Sequence, residues 1–119
     1  MAPAMSLASD VLTVTATGDA ASRRVSAAGE VDAFSAGHLA AAVEAALTDG
    51  ARQLLLDLTA VTFLGVAGVR AVAEAQRHAS GAGVQLRTRV GHPAVRWPLV
   101  ASGVWQLLGA EWAPAHAQP

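Results

Sequence analysis

The chain has 119 residues, 53% of them apolar, a net charge of −1 and no cysteine. This size suits one domain with one core, and the apolar share excludes global disorder. The near-neutral balance offers no basic field for phosphate backbones, so nucleic acid is a poor partner, and without thiols there are no disulfides, thiol nucleophiles or thiolate metal sites. Residues 1–9 lack both a basic start and a long apolar run, so no secretory signal is predicted. No stretch approaches the roughly 20 apolar residues of a spanning helix, which makes the cytoplasm the expected location.

Residues 1–8 read as a loose arm ahead of a domain over residues 9–112. Residues 11–16 (VLTVTA) alternate, with Leu12, Val14 and Ala16 on one face, the pattern of a half-exposed strand. Gly18-Asp19 starts a turn, and residues 24–31 (RVSAAGEV) supply the antiparallel partner, with Val25, Ala27 and Val31 facing together. Ser35 is placed to cap the helix that follows. Leu39, Val43, Ala46 and Leu47 give that helix one apolar stripe, and Asp49-Gly50 ends it. Residues 53–58 (QLLLDL) form a continuous apolar run, the mark of a central strand covered on both faces.

A second helix is predicted over residues 66–80. Val69, Val72, Ala73 and Ala79 form its buried stripe, with Arg70, Glu74, Arg77 and His78 on the wet side, where Arg70–Glu74 and Glu74–His78 are four apart. Gly81-Ala82-Gly83 stops it. Residues 84–90 (VQLRTRV) alternate again, with Val84, Leu86 and Val90 inward. Pro93 opens a last helix that ends near Gly103, and Pro98 inside it predicts a kink or a late start. Residues 113–119 read as a frayed tail. The order β-β-α-β-α-β-α predicts an α/β domain: a mixed sheet of four or five strands with helices packed on it.

Convergent chemistry is missing. None of His38, His78, His92 and His116 has further ligands at zinc-motif spacing, so no metal or cofactor is implied. The serines lie in no nucleophile context. Glu30 and Asp32 could pair as acid and base, but Asp32 or Ser35 capping the next helix is the simpler reading. Gly65-Val66-Ala67-Gly68 sits at a helix start, where free N–H groups could hold an anion, although a lone G-x-x-G says little. Trp97, Trp105 and Trp112 crowd the last quarter, as packing for the third helix or as a contact patch, with at least one expected in the core. An enzyme is not expected.

Asp57-Leu58-Thr59-Ala60-Val61-Thr62-Phe63-Leu64, continued by Gly65-Val66-Ala67-Gly68-Val69-Arg70-Ala71, resembles the signature stretch of STAS domains of the anti-sigma factor antagonist type, bacterial regulators of transcription. Gly29-Glu30-Val31-Asp32, followed by Ser35-Ala36 and Leu39, is similar to the family's second stretch, and Pro93-Ala94-Val95-Arg96 through Leu99 and Gly103 to its third helix. The resemblance implies the STAS fold over about residues 9–110. It also implies binding to an anti-sigma factor of the serine kinase type, which switches its antagonist off by phosphorylating a serine or threonine at the start of the second helix.

Here the chain departs from the family pattern. The family carries Asp-Ser-Ser-Gly or Asp-Ser-Ala-Gly where this chain has Gly65-Val66-Ala67-Gly68, so Val66 stands at the phosphorylated position with no hydroxyl. Thr59 and Thr62 lie nearby, but neither is expected to rescue the switch. The interaction face implied by the resemblance centres on Gly65, Val66, Ala67, Gly68 and Arg70, flanked by Glu30, Asp32 and Phe34. Three readings stay open: an antagonist that phosphorylation cannot switch off; a degenerate scaffold, in a larger STAS assembly or on an ABC-type ATPase; and a small-molecule or anion sensor. Self-association as a homodimer is left open as well.

Overall fold

The computed structural model describes residues 5–8, 11–48 and 50–114, the first four as backbone alone. Asp49, His116 and the outer parts of the expected arm (1–4) and tail (115–119) lie outside the described residues. The alternation read in the first half builds a hairpin of β2 (Leu12–Gly18) and β3 (Ser22–Val31). Its turn is tied by Asp19, whose Oδ1 accepts from the backbone N–H of Ala21 (3.0 Å) and Ser22 (2.9 Å). The arm is not loose throughout: β1 (Met5–Ala8) pairs antiparallel with β2, Met5 opposite Ala16.

The chain continues through α1 (Ala36–Thr48), β4 (Gln53–Leu64), α2 (Val66–Gly81), β5 (Gln85–Val90), α3 (Pro93–Ala101), α4 (Val104–Leu108) and β6 (Glu111–Trp112). Among the described residues six strands form one mixed sheet in sequence order, antiparallel from β1 to β3 and parallel from β3 to β6. The expected β-β-α-β-α-β-α order is therefore present, with a short strand added at each edge.

Sheet order decides which faces are covered. The crossovers β3-α1-β4 and β4-α2-β5 step in the same direction, and right-handed crossovers of that kind place both helices on one face. Leu54, Leu56 and Leu58 point into this layer and are at most 1% exposed. The expectation that this strand is covered on both faces fails for that reason. Leu55 is half-buried on the other face, beside Asp57, which pairs with Arg24 of β3.

Beneath α1 lie Leu39, Val43, Ala46 and Leu47, the predicted stripe, with Ala36 and Ala42. Beneath α2 lie Val72, Ala73 and Ala79, as predicted, with Gly68 and Ala75; Val69 is only half-buried. The two helices pack on each other. Across that contact His78 Nδ1 meets Glu44 Oε2 at 3.0 Å, so His78 pairs with α1 rather than with Glu74 on its own helix.

Pro93 opens α3 directly, and the His92 carbonyl accepts from the N–H of Val95 and Arg96, both at 3.0 Å. The late start that Pro98 predicted does not occur. The helix runs through Pro98, which has no N–H for the Ala94 carbonyl, and stops three residues later at Ala101. Then come α4 and β6, neither foreseen. Glu111 holds β6 on the sheet by taking Arg87 at 3.0 Å and Arg89 at 3.2 Å, and these guanidinium groups keep its carboxyl below the usual range.

Thr88 faces inward between Leu86 and Val90, fully buried, and its Oγ1 has no hydrogen-bond partner among the described residues. A buried hydroxyl without a partner costs about 1–3 kcal/mol. Thr88→Val keeps the shape and removes the orphan. It is expected to stabilise the fold by about 1 kcal/mol and raise Tm by about 4 °C, measured by thermal unfolding. A fall in Tm would mean the hydroxyl does find a partner.

Candidate functional site

The stretches Gly29–Asp32 and Asp57–Ala71 meet at the carboxyl ends of β3 and β4. These strands are parallel neighbours, with Glu30 opposite Phe63 and Val31 opposite Leu64. The Gly65 N–H donates to the Val31 carbonyl at 2.9 Å, which locks the start of α2 to the end of β3. Sites in open parallel sheets gather at such strand ends, because loops and helix starts converge there.

From β3 the chain turns into α1 through a reciprocal cap. Asp32 Oδ1 accepts from the N–H of Phe34 (2.9 Å) and of Ser35 (2.8 Å), while Ser35 Oγ accepts from the N–H of Asp32 (2.9 Å). This is a capping box with Asp32 as the cap and Ser35 as its third residue. The expected role of Ser35 is thus reversed: it reaches back rather than forward, and its hydroxyl donates to the Glu30 carbonyl at 2.8 Å. These bonds, the Ser35 N–H first, hold the Asp32 carboxyl below its ordinary value. The same turn leaves the Phe34 side chain with no neighbours to cover it, and it is 92% exposed.

On the β4 side, two register shifts set the surface. Twelve residues of β4 lie against ten of β3, so β4 carries two extra residues, one between Asp57 and Ala60 and one between Val61 and Phe63. Each such bulge moves the inward phase by one residue. Inward positions therefore run Leu54, Leu56, Leu58, then Val61, then Leu64, and Phe63 is left 46% exposed. The Phe63 ring lies over Gly65, where an added Cβ would meet it at 3.4 Å. Val66, the first residue of α2, is 78% exposed, and Arg70 one turn on is exposed with no ion-pair partner among the described residues.

Not every expected residue reaches this surface. Gly65, Val66 and Arg70 do, with Glu30 and Phe34 beside them; Asp32 is half-exposed with its Oδ1 held in the cap, and Ala67, half-buried like Gly65, packs against the core. Gly68 is buried, and a Cβ there would come within 2.5 Å of Leu64 Cδ1 and 2.8 Å of Val31 Cγ1. Its place in the signature is explained by close seating of α2 on the two strand ends, so it cannot touch a partner. Phe63 belongs to the face and was absent from the expected set, because alternation alone would not expose it.

The neighbouring hydroxyls are engaged. Thr62 Oγ1 donates to the Gly29 carbonyl at 3.3 Å, and Thr59 Oγ1 donates to Asp57 Oδ1 at 2.7 Å. Gly65 gives α2 no side-chain cap. Among the described residues no group of three or more His, Asp or Glu is placed to hold a metal ion, and no helix is long and apolar enough to cross a membrane.

Asp57, the first residue of the signature, is structural. It is 8% exposed, on the open face of the sheet, where it accepts from the Thr59 N–H and hydroxyl and pairs with Arg24. Burial pushes its carboxyl up, but the Thr59 bonds and Arg24 outweigh that and hold it below the ordinary value. A carboxyl depressed in the folded state stabilises the fold above the unfolded pKa of about 3.9, and that contribution is lost as pH falls through the folded value. Asp57→Ala is expected to cost about 2 kcal/mol at pH 7, and the gap from the parent should close as the pH drops below about 4. Urea midpoints at pH 7 and pH 3 check this; a gap independent of pH would mean the side chain matters only by packing.

Residues 12–109 match the family described as "Mlab, STAS domain". No curated protein gives a significant match. Among solved structures, the fold is similar to an anti-sigma factor antagonist from Mycobacterium paratuberculosis, 28% identical, with 87% of each chain covered and a TM-score of 0.76. It is also similar to the anti-sigma factor antagonist SpoIIAA in its unphosphorylated form, at 15% identity, covering 87% of this chain and 90% of that one, with a TM-score of 0.71; this second likeness speaks for the fold alone. With the family match spanning all but the outer residues, and with the hairpin, two crossover helices and signature turn in place, the chain belongs to the STAS domain family.

Proposed function

We propose that this STAS domain is a regulatory protein-binding module, an anti-sigma factor antagonist that engages an anti-sigma factor of the serine kinase type and lacks the phosphorylatable serine. It acts in the cytoplasm by binding, not by catalysis. The observation that carries the reading is the exposed apolar trio of Phe63 at the end of β4, Phe34 in the turn after β3 and Val66 at the start of α2, edged by Glu30 and Arg70. Large apolar side chains left in water at one place mark contact surfaces, and the charged rim supplies orientation. Val66 at the position where the family carries its switch gives the kinase no hydroxyl to modify. The similarity to an antagonist of known structure supports the choice of partner class.

The test is calorimetric titration of the intact protein against each anti-sigma kinase of its own genome, with ADP and with ATP. Binding to one of them that persists for hours in ATP is the expected result. Binding lost in ATP with a phosphate found on this chain would overturn the missing switch. No binding to any kinase would overturn the antagonist reading in favour of a scaffold role, including one on an ABC-type ATPase.

A further inference from the structure

A second surface, sharing no residue with the strand-end face, lies on α3. Nine residues, PAVRWPLVA, contain one polar side chain, Arg96. Such a helix is apolar all round, and helices of that kind are normally covered on every side. Here Val95 and Leu99 face the core at 0% exposed, while Trp97 is 72% exposed and Val100 is 46% exposed. Pro93, Arg96, Trp97 and Val100, with Trp112 of β6, line an open groove of about 360 Å³. Positions 93, 97 and 100 fall on one helix face, so the groove runs along about two turns, or roughly 10 Å.

The charge in the groove is fixed and unmatched. The Arg96 guanidinium sits 5.0 Å from the centre of the Trp112 ring and 5.5 Å from that of Trp105. Aromatic stacking holds a guanidinium in place while leaving its edge N–H donors open. Among the described residues no carboxylate meets Arg96; the nearby Glu111 is taken by Arg87 and Arg89. An apolar trough with one preorganised cation complements a segment that carries bulky apolar side chains and one carboxylate. Trp and Arg are also the residue types that dominate binding hot spots.

We infer that the outward face of α3 docks an amphipathic segment of a partner protein, its apolar side chains against Trp97, Val100 and Trp112 and its carboxylate on Arg96. The carboxylate accepts two N–H bonds from the guanidinium edge, and the apolar residues, three or four positions apart, lie along the trough.

The intact protein is screened against a phage-displayed library of random sixteen-residue peptides, with Trp97→Ser as the counter-target. Both Trp97 and Arg96 are exposed, so substitution there leaves the core untouched. The expected result is enrichment of peptides with Asp or Glu three or four positions from Leu, Phe or Trp. The best of them should lose about tenfold in affinity against Arg96→Gln and against Trp97→Ser, and nothing against Val66→Glu. It should also shift the indole N–H signals of Trp97 and Trp112. No enrichment over the counter-target, or enriched peptides without an acid, overturns the proposal. So does a dimer of the full chain that Trp97→Ser dissociates, which would make the occupant a second copy. Indole signals that already change when the chain is ended at Pro114 would put residues 115–119 in the groove and overturn it equally.

Discussion

Val66→Glu is expected to weaken binding to the proposed anti-sigma partner by about a hundredfold or more while leaving the fold intact. Val66 is 78% exposed at the first position of α2, so a longer side chain meets no core atom. Burying a carboxylate in an apolar contact without a counter-charge costs several kcal/mol, and the substitution puts a negative charge where family members carry phosphate. Glutamate near a helix N-terminus even favours the helix, so Tm should stay or rise slightly. Calorimetry against the partner, with thermal unfolding alongside, separates the two effects. If affinity were unchanged, the strand-end face would not be the contact. If Tm fell with affinity, the loss would belong to folding. Phe63→Ser extends the test to the residue exposed only by the β4 bulges, and about a tenfold loss is expected there.

Gly29→Ala is expected to destabilise the domain by about 3 kcal/mol and lower Tm by on the order of 10 °C. Gly29 sits at φ +117°, in the region L side chains rarely adopt. A Cβ there would lie 2.0 Å from the Val11 carbonyl oxygen, backbone that cannot step aside. That carbonyl also accepts the Glu30 N–H at 2.8 Å, so relieving the overlap breaks the bond that holds the end of β3. The damage reaches the site, because Val31 anchors Gly65. Gly37→Ala is the control. Gly37 lies within α1 with open space around it, and alanine there should stabilise the helix by up to about 1 kcal/mol. Denaturant midpoints check both, and equal effects of the two alanines would refute the steric argument.

Local periodicity and local stereochemistry make part of this fold legible in the residues alone. Alternating residues place the hairpin, and the stripes of α1 and α2 are buried almost as spaced, since a helix with one apolar face has one stable way to lie on a sheet. The glycine-containing stops end both helices. The signature residues identify the strand-to-helix turn, with Val66 at the start of α2. Features that depend on neighbours distant in the chain emerge only once the strands are paired. Six residues of β4 beyond Leu58 could not be read as strand because two bulges break the period of two, and only the pairing with β3 reveals them. The same phase change exposes Phe63. Leu55 and Asp57 lie on an open face because both crossovers turn the same way, which no run of apolar letters encodes. Of the two caps the sequence offered, Asp32 rather than Ser35 caps α1, because a cap depends on where the strand ends, and that is fixed by the register of β3 on β4. Of the three tryptophans only Trp105 packs against the core, half-buried; Leu and Val fill the space under the helices, and Trp97 and Trp112 are left exposed beside α3. Local patterns set the elements; long-range register and crossover direction set which of their residues meet the solvent.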